Sequence, residues 1–246
     1  MAAFSSVTSL KQYMIDEYYN GPPNPEAEQA LILGFFDTKD YHLVLSILKK
    51  GCTITEEIKE KCLSSYDLRL YQCLYPNHLT LSSELMYNVC ENGNLELIKW
   101  LRSKGGPWGE WTCALAAFEG NLELLQWLRS QGCPWDERTC SHAAIEGYLE
   151  LIQWARSQGC PWDKGTCTNA AKGGHLKLLQ WVRSHGCPWD EQTCSWAAWG
   201  GNLEFLQWAR SDPLDPCPWD EWTCALAAEN GHLELLQWSH SQGCPW

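Results

Sequence analysis

The chain has 246 residues, of which 45% are apolar, and it carries a formal net charge of −12. This apolar content is enough to bury a core, so one or two folded domains are expected. The negative balance argues against nucleic acid and against an anionic membrane surface as partners. Fourteen cysteines and sixteen tryptophans are unusual counts for this length, and their positions follow an internal repeat.

Residues 1–20 predict an N-terminal amphipathic helix, because Val7, Leu10, Met14 and Tyr18 follow helical spacing. The first ten residues lack the basic start and the apolar run of a secretory signal. Proline-rich sequence at residues 21–25 then ends this helix. No apolar stretch is long enough to span a bilayer, so we expect a cytoplasmic protein without a membrane partner.

Residues 26–83 predict degenerate helical repeats. A step of 27 residues back along the chain takes Leu97 onto Leu70 and then onto Leu43. The same step takes Leu95 onto Leu68. We therefore count eight units between Pro25 and Trp246, of which the first three are degenerate.

Residues 84–246 carry regular repeats of 27 residues. A Pro-Trp pair recurs with its tryptophan at Trp108, Trp135, Trp162, Trp189, Trp219 and Trp246. A second tryptophan keeps the same step at Trp100, Trp127, Trp154, Trp181, Trp208 and Trp238. One spacing is 30 residues, because three extra residues lie within 212–216, and this insertion predicts a protruding surface loop. Both tryptophan series are interpreted mainly as core.

One unit, residues 136–162, predicts two short helices. Asp136 is a good N-cap for helix A, over Glu137–Ile145, and Gly147 can supply the left-handed residue that ends it. Helix B follows over Leu149–Ser157. Helices this short do not persist alone in water, so only stacking on neighbouring units can stabilise them.

The unit resembles an ankyrin repeat. The segment Thr139–Ile152 parallels the family pattern T-P-L-H-x-A-A-x-x-G-x-L-E-V-V, and Gly231–Leu236 is closer still. The unit is shorter than the family repeat of about 33 residues, mainly in the loop that normally projects a β-hairpin. This short Cys-Pro-Trp-Asp form resembles repeats in proteins of large DNA viruses and of some algae and protists. If the protein is viral, its expected compartment is the host cytoplasm.

The resemblance implies an all-α, ankyrin-like α-solenoid of stacked helix-turn-helix repeats with shortened loops and no β-hairpins. It also implies protein–protein binding without catalysis. We therefore expect a non-enzymatic interaction scaffold whose partner is a protein. The alternative is a structural or packaging protein that self-associates. Ser239 and His240 replace apolar and arginine residues in the last unit, which is typical of a capped, monomeric array and favours the scaffold.

The cysteines form two ladders, one on the A helices and one in the loops. The helix-A ladder is Cys113, Cys140, Cys167, Cys194 and Cys224, and the loop ladder is Cys133, Cys160, Cys187, Cys217 and Cys244. Neighbours within a ladder should lie about 8–10 Å apart, whereas a disulfide needs Cα atoms within about 7 Å. No Cys-x-x-Cys pair indicates zinc. We expect reduced, metal-free thiols that pack as small hydrophobic groups.

Nothing in the sequence indicates an active site. No unit has a single cysteine beside a fixed histidine and an orienting acid, and there is no Gly-rich phosphate loop. We therefore predict no catalytic residues, no metal and no cofactor.

Three helix-A positions vary between units and lie on one side of the helix, where we predict the partner-binding surface. This surface, the ridge, consists of Trp111, Arg138, Gly165, Gln192 and Trp222 at its first position, Leu115, His142, Asn169, Trp196 and Leu226 at its second, and Phe118, Ile145, Lys172, Trp199 and Glu229 at its third. The resemblance places helix A on the concave side. Exposed aromatic residues beside arginine are typical binding anchors, which favours Trp111, Trp196, Trp199 and Trp222. For Leu115 and Leu226 the alternative is core between units.

Overall fold

The structure, a computed structural model, describes residues 25–75, 77–211 and 215–246. These residues form sixteen α-helices and no β-strand. The fold class is therefore all-α and built of helix pairs, as predicted. The helices are α1 (Pro25–Asp37), α2 (Tyr41–Lys49), α3 (Glu56–Ser64), α4 (Leu68–Leu74), α5 (Ser83–Asn92), α6 (Leu95–Ser103), α7 (Glu110–Phe118), α8 (Leu122–Ser130), α9 (Glu137–Ile145), α10 (Leu149–Ser157), α11 (Lys164–Lys172), α12 (Leu176–Ser184), α13 (Glu191–Trp199), α14 (Leu203–Arg210), α15 (Glu221–Glu229) and α16 (Leu233–Ser241).

The chain divides into two compact units. The first combines the described residues up to Ser82 with Glu96–Gly106, and the second combines Ser83–Leu95 with Pro107–Trp246. In the first unit α1 packs on α2 and α3, and α4 packs on α2 and α3. Leu43 and Leu70, which the 27-residue step aligns with Leu97, are both fully buried there. The predicted helix over residues 1–20 lies outside the described residues.

Each regular helix A begins and ends where its sequence signals predict. The α9 helix spans Glu137–Ile145 and α10 spans Leu149–Ser157, the predicted bounds. The Asp136 carboxylate accepts a hydrogen bond from the backbone N–H of Arg138 at 3.1 Å. Gly147 has φ of +81°, the left-handed conformation that favours glycine. These local signals fix the helix ends before any packing between repeats is considered.

The A helices of the second unit pack on one another in chain order, from α5 through α7, α9, α11 and α13 to α15. Small buried side chains make this close packing possible, such as Ala143 and Ala144 of α9. Each B helix packs against the A helix of its own repeat. Leu151 and Ile152 fill that interface in α10, while Glu150 and Ser157 remain exposed on its outer stripe.

An arginine near the end of four successive B helices, α8, α10, α12 and α14, clasps the loop that follows. Arg156 donates a hydrogen bond from Nη1 to the carbonyl of Cys160, and its guanidinium lies 3.9 Å from the ring centre of Trp162. We call this arrangement the arginine clasp. It recurs at Arg129 over Trp135, at Arg183 over Trp189 and at Arg210 over Trp219. A cation over an indole face contributes about 0.5–2 kcal/mol, so the clasp fixes each loop against its helix.

The tryptophans pair between repeats and are half-buried instead of fully buried. The ring of Trp135 meets Trp154 edge-on at a centroid distance of 6.0 Å, and Trp162 meets Trp181 in the same way at 6.1 Å. Trp135, Trp154 and Trp162 all pack against the core formed by Cys140, Ala155 and Cys160. The rings therefore cover the edge of the core and stay partly exposed, which agrees with the interpretation of both series as mainly core.

Ser239, whose polar side chain predicts an exposed cap on the last repeat, is buried. The position that follows the B-helix tryptophan faces the interior in the other repeats, where Leu128, Ala155, Val182 and Ala209 are fully buried. Ser239 occupies the same position and has no exposed surface. Only His240 of the two substitutions is exposed, and its ring lies 4.1 Å from that of Trp246. The capping argument based on Ser239 is therefore wrong.

A glycine at the end of α11 makes a close approach between repeats. A Cβ added at Gly173 would lie 2.2 Å from the backbone carbonyl oxygen of Ile145, whereas one added at the equivalent Gly200 would come no closer than 3.7 Å to a backbone atom and would displace only the side chain of Asn202, at 2.9 Å. We expect Gly173→Ala to destabilise the fold by about 1–3 kcal/mol, because a backbone atom must move. Gly200→Ala is the matched control and should change stability by less than about 1 kcal/mol. Urea unfolding of both variants checks this, and equal losses would contradict it.

Candidate binding surface on the A helices

The ridge residues lie on α7, α9, α11, α13 and α15, all in the second unit. Four of their large aromatic side chains are strongly exposed. Trp111 is 49% exposed, Phe118 38%, Trp199 43% and Trp222 59%. Large apolar side chains are usually buried in a folded domain, so the exposure of two aromatic side chains on α7 and of one each on α13 and α15 is unusual.

The remaining ridge positions are more varied in exposure. Gln192, Lys172 and Glu229 are exposed. Half-buried side chains occupy Arg138, His142, Ile145, Asn169, Trp196 and Leu226, and Gly165 is also half-buried. Leu115 is buried, as the alternative interpretation of that position as core expects.

The first ridge cluster surrounds Trp111. The guanidinium of Arg138 lies 4.2 Å from the centre of the Trp111 ring and pairs with the carboxylate of Asp136. The ring of His142 lies 5.7 Å from Trp111 and 6.0 Å from Phe118. One cation, one imidazole and two aromatic rings therefore form a continuous surface across α7 and α9.

The pKa values of two side chains in this cluster, Asp136 and His142, are shifted by their surroundings. Burial alone would raise the pKa of Asp136, but hydrogen bonds from the side chain and backbone of Arg138 outweigh burial and hold the pKa below its ordinary value. Burial lowers the pKa of His142, and the positive charge of Arg138 acts in the same direction. At neutral pH the cluster therefore presents a neutral imidazole beside a paired guanidinium.

The second ridge cluster lies two repeats further along. The ammonium of Lys172 is 4.8 Å from the centre of the Trp196 ring. Trp196 and Trp199 meet edge-on, with a centroid distance of 5.7 Å and an interplanar angle of 69°. Between the two clusters, the side-chain amide of Asn169 donates a hydrogen bond to the carbonyl of Ser141 at 2.9 Å. That bond crosses from one repeat to the next and fixes the spacing of the ridge there.

The two cysteine ladders meet within each repeat. The ladder spacing concerns cysteines of neighbouring repeats, whereas within one repeat the structure brings the helix-A thiol of Cys113 beside Cys133 of the loop, to whose carbonyl it donates at 4.0 Å. Cys167 makes the same contact with Cys187, and Cys140 and Cys160 pack in one core cluster. The loop thiol also donates to an N-cap carbonyl, as Cys160 Sγ does to Asp136 at 3.6 Å.

This pairing keeps the thiols protonated. The thiol partner and burial together raise the pKa of Cys113, Cys140 and Cys167, and burial followed by its thiol partner raises that of Cys217. A thiolate is the nucleophilic form of cysteine, so these groups are chemically quiet at neutral pH. That all fourteen thiols are reduced and metal-free stays a prediction. Among the described residues, no cluster of three or more His, Cys, Asp or Glu side chains could hold a metal ion.

Two features of this surface were missed at the level of sequence. Tyr87 on α5 is 41% exposed and stands in a column where the later repeats have Ala114, Ser141, Thr168, Ser195 and Ala225. A single large residue in a column of small ones was the available signal. The arginine clasp was also missed, although Arg129, Arg156, Arg183 and Arg210 all lie two residues after the B-helix tryptophan of their repeats.

No helix in the described part of the chain is both long and apolar enough to cross a membrane.

Comparisons with known proteins give a fold likeness only. No protein-family model matches the chain, and no curated protein matches it either. Among solved structures, it is similar to the pentatricopeptide repeat protein PPR10 in complex with an 18-nt psaJ RNA element, at 14% identity and a TM-score of 0.45. A cysteine-to-serine variant of PPR10 with the same RNA gives the same values. Each match covers 96% of this chain but only 40% of the other, so the chain spans less than half of those proteins.

These neighbours correct one inference from composition. Both are repeat proteins bound to RNA, which conflicts with the exclusion of nucleic acid as a partner, and that exclusion is wrong. Net charge is a sum over the whole chain, whereas single-stranded RNA is bound by local basic and aromatic side chains. Nucleic acid is therefore one of the partner classes that binding experiments have to distinguish.

Proposed function

We propose that the protein is a non-enzymatic scaffold that binds a protein partner through the ridge on the A helices of its second unit. The observation that carries this proposal is the exposure of four aromatic side chains at ridge positions of α7, α13 and α15, namely Trp111, Phe118, Trp199 and Trp222. Exposed tryptophans next to cationic side chains are typical hot spots of protein interfaces, because each buries a large apolar area when the partner docks.

The ankyrin resemblance supports the same proposal. In that architecture the A helices line the concave side, and residues that vary between repeats contact the partner. The packing residues of this chain, such as Thr139 and Cys140, repeat almost unchanged, while the ridge positions differ from one repeat to the next. A surface free of packing constraints can vary in this way, and its variation gives specificity for one partner.

The proposal is tested by removing the second ridge cluster. We expect Trp196→Ser with Trp199→Ser to weaken partner binding by more than about 2 kcal/mol while costing less than about 1 kcal/mol in folding, because Trp199 is exposed and Trp196 half-buried. Affinity capture with mass spectrometry identifies the partner, calorimetry measures its binding, and urea unfolding measures stability. An unfolded double variant, or one with unchanged affinity, would contradict the assignment of the ridge.

The matched control removes two exposed apolar side chains outside the ridge. Leu233→Ser with Trp246→Ser should leave partner binding unchanged, since both residues are strongly exposed and neither belongs to the ridge. Nuclease treatment of the captured material separates the partner classes. Capture that depends on RNA would replace a protein partner by a nucleic acid, and polymers in sedimentation runs would favour self-association.

A further inference from the structure

A cleft opens at the start of the second unit, between the first turns of α5 and α7. Its volume is about 510 Å³, and it is lined by Ser83, Glu84, Tyr87, Trp108, Gly109, Glu110, Trp111 and Thr112. Three of these residues are large aromatics and two are carboxylates. The ridge residue Trp111 forms part of its wall, so the cleft continues the ridge surface.

The composition of this wall favours a cation. Aromatic faces attract cations through the ring quadrupole, and the attraction is strongest for tryptophan. The carboxylates of Glu84 and Glu110 are both exposed, and no lysine, arginine or histidine is among the residues that line the cleft. Two helices begin here, and each N-terminus adds about half a positive charge. The two carboxylates exceed that partial charge, so the cleft is anionic overall.

The chain itself shows how this surface holds a cation. One repeat further along, Arg138 places its guanidinium 4.2 Å from the centre of the Trp111 ring and pairs with Asp136. The cleft presents the same Trp111 indole beside the carboxylates of Glu84 and Glu110, and no guanidinium lines it. The residue that stands 27 positions before Trp111 is Glu84, which supplies a second carboxylate there instead of a ring.

We propose that this cleft binds an arginine side chain of the partner, with the guanidinium between the Tyr87 and Trp111 rings and paired to Glu84 and Glu110. Arginine suits the site better than lysine, because its planar guanidinium stacks on aromatic faces and pairs with two carboxylates at once. The net charge of −12 also attracts a basic segment of a partner towards the protein. The inference rests on the proposed function, since it names the chemistry of one contact residue of the protein partner.

The test uses a short peptide on the full chain. The probe is acetyl-Gly-Gly-Arg-Gly-Gly-amide, and its comparison is the same peptide with citrulline, which has the shape of arginine but no charge. Calorimetry and the indole N–H signals of the protein measure binding. We expect the arginine peptide to bind at least tenfold more tightly than the citrulline peptide, and its binding to weaken with added salt. Equal binding of the two peptides would overturn the proposal.

Variants locate the site. Glu84→Gln with Glu110→Gln should reduce affinity for the arginine peptide at least tenfold, and Tyr87→Ala should reduce it as well. The matched control is Glu191→Gln with Glu221→Gln, because both glutamates are exposed and begin α13 and α15 as Glu110 begins α7. The control should bind like the unaltered chain. Equal losses in both double variants would show that binding lies elsewhere.

The outcomes separate this inference from the proposed function. If the arginine peptide fails to bind but Trp196→Ser with Trp199→Ser still abolishes partner binding, only the cleft assignment is wrong. If the peptide binds as expected but the ridge variant keeps its partner, only the ridge proposal is wrong. A short oligouridylate that binds the cleft, and binds more tightly after Glu84→Gln with Glu110→Gln, would assign the cleft to an anion and overturn the arginine proposal.

Discussion

Phe205→Ala should lower the free energy of unfolding by about 3–5 kcal/mol, among the largest losses of any single core substitution in this chain. The Phe205 side chain is 2% exposed and fills the interior face of α14. Truncation to alanine removes most of its buried apolar area and leaves a cavity that rigid neighbouring repeats cannot fully close. Stability in stacked repeats depends on contacts between neighbours, so the loss also loosens the adjoining repeats. Urea unfolding followed by helical circular dichroism measures the change.

The matched control comes from the other repeats. The equivalent positions are leucine at Leu124, Leu151, Leu178 and Leu235, and all four are buried. Phe205→Leu should therefore cost less than about 1.5 kcal/mol, because it restores the residue that this packing normally accepts. If the alanine and leucine variants lost the same stability, size at this site would not be the determining factor.

The second large effect is unfolding at alkaline pH. Burial raises the pKa of Cys62 and of Cys90 to about 12, and that of Cys52 to about 11. The pKa values of paired thiols such as Cys113 and Cys140 are raised as well. A raised pKa in the folded state stabilises the protein fully below the thiol pKa of the unfolded chain, about 8.5, and this stability is lost as the pH rises towards the folded value.

The magnitude follows from the number of thiols involved. Each fully buried thiol with a raised pKa removes about 1.4 kcal/mol per pH unit in this window, and the half-buried Cys52 removes less because solvent screens it. Several together exceed the usual stability of a domain, about 5–15 kcal/mol, within one or two pH units. We expect unfolding between about pH 9 and pH 11, with thiolate absorbance and loss of helical signal rising together. Thiolate formation near pH 9 with the helices intact would contradict the buried, protonated state of these thiols.

Local signals made the helices predictable, because each helix carries its own start and stop. Asp136 and Gly147 fix the ends of α9 without help from other repeats, and the observed bounds are the predicted ones. The same signals recur at Asp163 and Asp190, which accept from the N–H groups of Gly165 and Gln192. Because the same signals recur in the regular repeats, they predicted the fold class.

Contacts between segments could not be obtained from spacing alone. The contact between Cys113 and Cys133 forms because the loop folds back onto the N-terminus of its own helix A, and a comparison of neighbouring repeats does not reveal that path. The predicted exposure of Ser239 was wrong for a related reason. Its position on the helix faces the interior, and this determines its burial although the side chain is polar. The cleft between α5 and α7 depends on Tyr87, whose large side chain departs from the small residues of the same column, but the spacing of the repeats does not show which side chains line a cleft.

The arginine clasp keeps the register of the repeats the same whatever the length of the loop. Where the loop carries three extra residues, Arg210 still donates to the carbonyl of Cys217 at 2.6 Å and still covers Trp219 at 4.0 Å. The backbone N–H of Cys217 also still reaches the carbonyl of Ala209 at 2.9 Å. Both ends of the enlarged loop are thus pinned at the same places as in the short loops. A foreign peptide spliced between Ser211 and Pro216 would be displayed from a fixed base, which makes this loop a natural graft point for an engineered epitope.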